Sequence, residues 1–125
     1  MLICYYSSKS RNTAKFVEKL NLRSIEINEG LIVREPFVLF SGTYARSDGL
    51  KAVHKSVIDF LKNNKEFIRG VVGSGNINFG QNFAISADVI SEKCNVPIFH
   101  KYELRGTEKD VKIIREKIEY ARNRL

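Results

Sequence analysis

Five short apolar runs, each closed by a polar turn and most followed by an amphipathic stretch, constrain this chain more than any other feature. Leu2 to Tyr6, ended by Ser7-Ser8, predicts a strand buried on both faces. Asn12-Thr13 can cap a helix whose apolar positions are Phe16, Val17 and Leu20. Ser24 to Ile27 reads as a short strand closed by Asn28-Glu29-Gly30, and a weaker extended piece follows over Leu31 to Val33. Pro36 to Phe40 is the strongest central strand, with proline tolerated because it stands first. Lys51 to Lys62 is amphipathic through Val53, Val57, Phe60 and Leu61. Phe67 to Val72 predicts a strand, Phe83 to Lys93 a helix and Val96 to Leu104 a strand. The last segment sets Val111, Ile114, Ile118, Ala121 and Leu125 on one helical stripe. Strands alternating with helices predict an α/β fold, a five-stranded parallel sheet with helices on both faces. Right-handed crossovers prune the possible topologies. Ligands of such sheets sit beyond the carboxyl ends of the strands, so the loops after the first, third and fourth strands should share one site.

The length, 125 residues, suits one domain spanning 1–125. No apolar run approaches the roughly 18 to 20 residues that cross a bilayer, and Met1 to Tyr6 is too short for a signal peptide. A cytoplasmic protein without a membrane partner is expected. Cys4 and Cys94 lack C-x-x-C spacing; they read as reduced thiols, with a redox disulfide as the alternative. Lysine and arginine number 21 against 14 acidic residues, a net charge of +7 that favours anionic ligands or partners. The basic residues of the last segment alternate with Glu108, Asp110, Glu116 and Glu119, the pattern of a solvated helix face rather than a nucleic-acid surface.

Three loops carry the chemistry. Ser7-Ser8-Lys9-Ser10-Arg11-Asn12-Thr13 lies between a buried strand and a helix, where hydroxyls and free N–H groups suit a dianionic phosphate. It could equally be a plain helix cap with surface serines. Gly73-Ser74-Gly75-Asn76-Ile77-Asn78-Phe79-Gly80, taken as a loop directly after a strand, allows a flat ligand to approach the backbone. Its two asparagines can edge a heterocycle, and it matches neither a Rossmann nor a Walker pattern. In the middle loop, Ser41 to Gly49, Tyr44 could stack on a planar ring or merely cover a strand end. Together the three suit a flat, phosphorylated cofactor.

The pieces Tyr6 to Thr13 and Phe16 to Leu20 resemble the flavodoxin phosphate loop and its helix. Arg69 to Gly80, Asp88 to Pro97 and Tyr102 to Glu108 resemble the NrdI family in particular, and the similarity covers nearly the whole chain. That resemblance implies a flavodoxin-like sheet of order 2-1-3-4-5 and an FMN cofactor. It also implies work with class Ib ribonucleotide reductase, in which reduced flavin and dioxygen yield a superoxide-type oxidant. The oxidant serves the dimanganese site of the small subunit, where the tyrosyl radical forms. The implied partners are that subunit and a flavin-reducing electron donor, and the chain would be a redox accessory protein rather than a stand-alone enzyme. By position, Ser8, Ser10, Asn12 and Thr13 would hold the phosphate, with Lys9 and Arg11 in the same loop. Thr43, Tyr44 and Ala45 would lie along the ring. Ser74, Gly75, Asn76, Asn78, Phe79 and Gly80 would enclose its other edge, the Gly75-Asn76 peptide reorienting on reduction. The positive net charge fits this branch, because it favours anionic reduced flavin and attracts superoxide.

Two departures from the family pattern stand out. Arg11 replaces a usual glycine, implying either backbone strain or an added phosphate contact. Ala45-Arg46-Ser47 replaces a glycine-rich segment. A one-electron carrier for another enzyme is the main alternative. A receiver-like module would need an acidic pair after the first strand, and Tyr5-Tyr6-Ser7-Ser8 provides none. His54 and His100 share no metal-ligand spacing, and no G-x-S-x-G elbow occurs.

Overall fold

Alternation in the apolar runs sends side chains to both faces of one sheet, and this decides the architecture. The computed structural model describes residues 1–44 and 50–124. Strands β1 (Leu2–Tyr5), β2 (Ser24–Glu26), β3 (Phe37–Gly42), β4 (Ile68–Gly75) and β5 (Ile98–Glu103) form one sheet, all neighbours parallel, in the order β2-β1-β3-β4-β5. The order implied by the resemblance is the one observed. Helices α1 (Asn12–Leu20) and α4 (Glu108–Arg122) cover one face, against Ile3, Val38, Phe40 and Val72. Helices α2 (Lys55–Asn64) and α3 (Ile85–Cys94) cover the other, against Cys4, Phe37, Leu39 and Val71. No helix among the described residues is long and apolar enough to cross a membrane.

Several expected boundaries move, each for a physical reason. The weak piece at Leu31 to Val33 joins no strand. Its backbone is satisfied by buried Asn64, whose Oδ1 accepts from Val33 N at 2.7 Å and whose Nδ2 donates to Leu31 O at 2.9 Å. Helix α2 starts at Lys55 rather than Lys51, because His54 Nδ1 accepts the Ser56 N–H at 3.1 Å and caps it there. The cap of α1 is Arg11 and not Asn12 or Thr13; it lies in the left-handed region at φ 61° with no side-chain cap bond. Gly73, Ser74 and Gly75, expected in a loop, continue β4 and pair with Ser41, Gly42 and the end of β5. Glycine is needed there because α3 crosses so closely: a Cβ on Gly73 would sit 2.6 Å from Ala87 Cβ.

Helix α4 is anchored at its start by a capping box between Thr107 and Asp110. Asp110 Oδ1 also meets His100 Nε2 at 2.8 Å. Burial disfavours the Asp110 carboxylate, but the bonds from His100 and Thr107 outweigh it and hold its pKa below the ordinary value. A depressed folded pKa means that the stabilisation is present above the unfolded pKa and lost as pH falls through the folded one. The difference in Tm between wild type and Asp110→Asn is therefore expected to be full near neutrality and to shrink on acidification below the ordinary carboxylate range. A difference that stayed constant to strongly acid pH would remove Asp110 from this role.

Both cysteines are free thiols. Burial pushes the Cys4 thiol up to about 12, with Glu35 adding to it, and burial also raises Cys94. Thiolate is the reactive form, so Cys4 is expected to resist a thiol reagent until the protein unfolds, as a titration with and without denaturant would show.

Candidate functional site

The carboxyl ends of β1, β3 and β4 point to one edge of the sheet, and a cavity of about 210 Å³ opens there. Ser8, Ser10, Asn12 and Thr13 line it from the first loop, Gly42, Thr43 and Tyr44 from the second, and Ser74, Gly75 and Asn76 from the third. Nine of the expected site residues are thus brought together, and Gly42 and Leu104 join them. Among the described residues no charged side chain lines the cavity, so the net charge of +7 is not concentrated in its wall.

The first loop presents hydroxyls at a helix start. Ser8 Oγ and Ser10 Oγ lie 3.1 Å apart, and the Asn12 N–H reaches Ser10 Oγ at 3.5 Å. Ser7, buried, serves the helix itself by accepting from Ala14 N at 3.1 Å. The first turn of α1 holds no acidic residue, so the helix dipole and its N–H groups face the cavity without a competing carboxylate. Lys9 is exposed and does not line the cavity. The Arg11 guanidinium turns away from it, donating to Glu26 Oε2 at 2.7 Å and Oε1 at 2.9 Å. Of the two possibilities for Arg11, the left-handed backbone is observed, and in this structure the side chain is committed to a carboxylate.

The second loop is braced from below. Thr43 Oγ1 donates to Ser86 Oγ at 3.1 Å and accepts from Ser86 N at 3.3 Å, while Ser86 Oγ donates to Ser41 O. Tyr44 N donates to Ala52 O at 3.0 Å. The Tyr44 ring, 39% exposed, meets Tyr6 and His54 edge-on at 6.1 and 5.2 Å, and Tyr6 stacks on His54 at 4.0 Å. His54 thus both caps α2 and supports Tyr44, a role its lone position in the sequence gave no means of seeing. Burial pushes the Tyr44 hydroxyl up to about 12, Tyr6 adds to this and hydrogen bonding with Ser8 opposes it. Tyr44 is therefore neutral at physiological pH. Ala45 and the Phe79 side chain lie outside the described residues.

The third wall is backbone. A Cβ on Gly75 would lie 2.9 Å from Ala84 N and 3.2 Å from its Cα, so the strand end is flat because α3 begins against it. Asn76 Oδ1 accepts from Asn78 N at 2.9 Å, turning the chain into a short 3-10 segment (Ile77–Asn82) that kinks at Gly80, φ 59°. Asn78 and Gly80 shape this turn rather than line the cavity. Beneath lies Tyr102, buried and stacked on Phe16 at 4.0 Å. Its hydroxyl is held well above the usual tyrosine value by burial, opposed by hydrogen bonding with Ser74 and Thr13. It ties the first loop to the third, a role that strand periodicity alone does not disclose.

Backbone strain gathers at the same edge. Five residues other than glycine adopt positive φ among those described. Asn21 and Asn95 close helices at the opposite end of the strands, where asparagine is a usual choice. Leu104, at φ 49°, lines the cavity, and its N donates to Gly75 O at 3.0 Å. Arg11 and Ala84, at φ 61° and 50°, adjoin lining residues, Arg11 as the cap of α1 next to Asn12 and Ala84 packed against Gly75. Unfavoured backbone persists where surrounding structure enforces it, and it clusters at functional sites.

A family model, NrdI Flavodoxin like, matches residues 4–116. The chain belongs to this family. It is 48% identical to Protein NrdI of Rhizobium leguminosarum bv. trifolii over 124 residues, covering 94% of this chain and 92% of that protein. It is 45% identical to Protein NrdI of Bartonella bacilliformis over 123 residues, covering 94% and 95%. Among solved structures, a short-chain flavodoxin associated with a non-canonical PDU bacterial microcompartment superposes with a TM-score of 0.68 at 18% identity, covering 98% of this chain and 96% of that one. Oxidised Flavodoxin 2 from Bacillus cereus gives 0.65 at 18% identity, covering 99% of each. These two share the fold. NrdI membership and a flavodoxin fold imply a flavin cofactor, and the cavity fits one: it has hydroxyls and a helix start for a phosphate, and walls of glycine backbone for a planar ring.

Proposed function

We propose that this member of the NrdI family is a single FMN-binding domain over 1–125. We further propose that it supplies a superoxide-type oxidant for assembly of the dimanganese-tyrosyl radical cofactor of class Ib ribonucleotide reductase, in the cytoplasm. The observation that carries the reading is the convergence of the first, third and fourth strand ends on one neutral, hydroxyl-rich cavity. Its partners are the dimanganese small subunit and an electron donor that reduces the flavin. Bound FMN would supply the electron transfer and the reaction with dioxygen.

The chain's own residues bind and orient. Ser8, Ser10 and the start of α1 hold the phosphate through neutral donors, a dianion needing no metal when several charge-assisted bonds are available. Tyr44, propped by Tyr6 and His54, offers a neutral aromatic surface on one side of the ring. The flat Gly75-Asn76 backbone borders the other edge and is free of side-chain bulk at Gly75. Tyr44→Ala is expected to weaken FMN binding about tenfold or more, by loss of stacked aromatic area, and to shift the flavin absorption bands. Unchanged affinity and bands in a titration would remove Tyr44 from the ring site.

The reading is tested by mixing the reduced protein with the manganese-loaded small subunit and admitting air. A tyrosyl radical in the electron paramagnetic resonance spectrum, absent without the protein, is expected. No radical, with normal one-electron transfer to an artificial acceptor, would assign the chain as a carrier for another enzyme.

A further inference from the structure

Arg11 stands at the one position of the first loop where the chain turns left-handed before entering α1. A side chain beginning with a Cβ is disfavoured in that conformation, so something else must hold the turn. Two backbone bonds frame it, Arg11 N to Ser8 O at 2.9 Å and Lys15 N to Arg11 O at 3.0 Å. The third restraint comes from outside the loop. The guanidinium makes a two-pronged bond to Glu26, the last residue of β2, which is paired in register with Tyr5 at the end of β1. The planar fork of arginine matches a carboxylate in this way, whereas a lysine would not.

We propose that the Arg11–Glu26 pair is a positioning clamp. It fastens the left-handed turn of the phosphate-type loop to the edge strand and so keeps Ser8, Ser10 and the α1 N–H groups in place. Neither residue touches the cofactor. The inference rests on the FMN reading above for its binding arm, and it predicts a pattern that glycine can rescue. Glycine adopts φ near 60° freely, so Arg11→Gly needs no clamp.

Arg11→Ala keeps a Cβ and loses the fork, and Glu26→Gln keeps shape and loses the ion pair. Each is expected to weaken FMN binding by about fivefold, the scale of the left-handed penalty for an ordinary residue. Arg11→Gly is expected to bind FMN at least as tightly as the wild type, and Glu26→Gln added to it should change nothing further. Riboflavin, which lacks the phosphate, should show none of these differences. Weakening by Arg11→Gly equal to that by Arg11→Ala would overturn the clamp and make the guanidinium a direct phosphate ligand. Tighter FMN binding in Glu26→Gln would overturn it too, showing that Glu26 withholds the arginine from the phosphate.

The same cycle is read in the apoprotein by thermal unfolding, which separates the clamp from the cofactor. Glu26→Gln should lower Tm when residue 11 is arginine and leave it unchanged when it is glycine. Equal shifts in both backgrounds would refute the clamp whether or not the protein takes FMN. If the apoprotein shows the predicted coupling and no variant binds FMN, the FMN reading fails and the clamp stands.

Discussion

Replacing Ser8 and Ser10 together by alanine is expected to weaken FMN binding by at least about a hundredfold, while riboflavin binding changes little. A hydrogen bond to a charged group contributes about 1.5–3 kcal/mol net, and 1.4 kcal/mol is about tenfold in affinity. The two hydroxyls face each other across 3.1 Å at the cavity wall, where both could turn toward a dianion. The fold should be indifferent to their loss. Ser10 is exposed, and the bond that closes the helix entry is donated by the Ala14 N–H to Ser7 Oγ. Comparing the two flavins by fluorescence titration isolates the phosphate. Equal losses for both ligands would mean that these serines shape the ring site instead, and no loss for either would move the phosphate elsewhere.

Gly106→Ala is expected to lower Tm by roughly 10 °C, the largest stability effect of the changes considered. Gly106 follows β5 at φ 69°, and a Cβ there would lie 2.4–2.5 Å from the Phe16 ring and 3.1 Å from that of Tyr102. The left-handed backbone costs an alanine about 1–2 kcal/mol. Overpacking adds about 1–3 kcal/mol, because Phe16 is fully buried and stacked on Tyr102 with nowhere to move. At this chain length each kcal/mol shifts Tm by several degrees, about 3–5 °C by interpolation. The damage should reach the site as well, because Tyr102 ties Thr13 to Ser74. A variant melting within about 2 °C of wild type would show that the Phe16–Tyr102 stack can slide aside.

Why these effects fall where they do bears on what was legible in advance. The sheet, its helices and the three converging loops follow from periodicity, since Leu2 to Tyr5 and Phe37 to Phe40 must find apolar partners on both faces. The residues that line the cavity were legible for the same reason: polar residues placed directly after buried strands have one edge to occupy. Three features were not. Gly73 to Gly75 looks like loop because glycine is poor in strands, yet here a strand end must be bare for α3 to cross it. Ala84 and Leu104 carry left-handed backbone without a glycine or asparagine to announce it, Ala84 packed against Gly75 and Leu104 N bonded to Gly75 O. The Arg11–Glu26 pair joins residues fifteen apart through strand order, which local pattern does not encode. The expected contribution of Ala45 to the ring site lies outside the described residues.

Titration of the apoprotein reads out whether the edge formed by β1, β3 and β4 holds FMN. The purified protein, freed of any bound cofactor, is titrated with FMN while flavin fluorescence and visible absorption are followed, then reduced with dithionite under argon and exposed to air. Stoichiometric binding with quenched fluorescence, a yellow complex bleached by dithionite and a rapid return of colour in air are expected. A protein that remains folded and colourless, and leaves FMN fluorescence unquenched, would mean that this edge does not hold FMN.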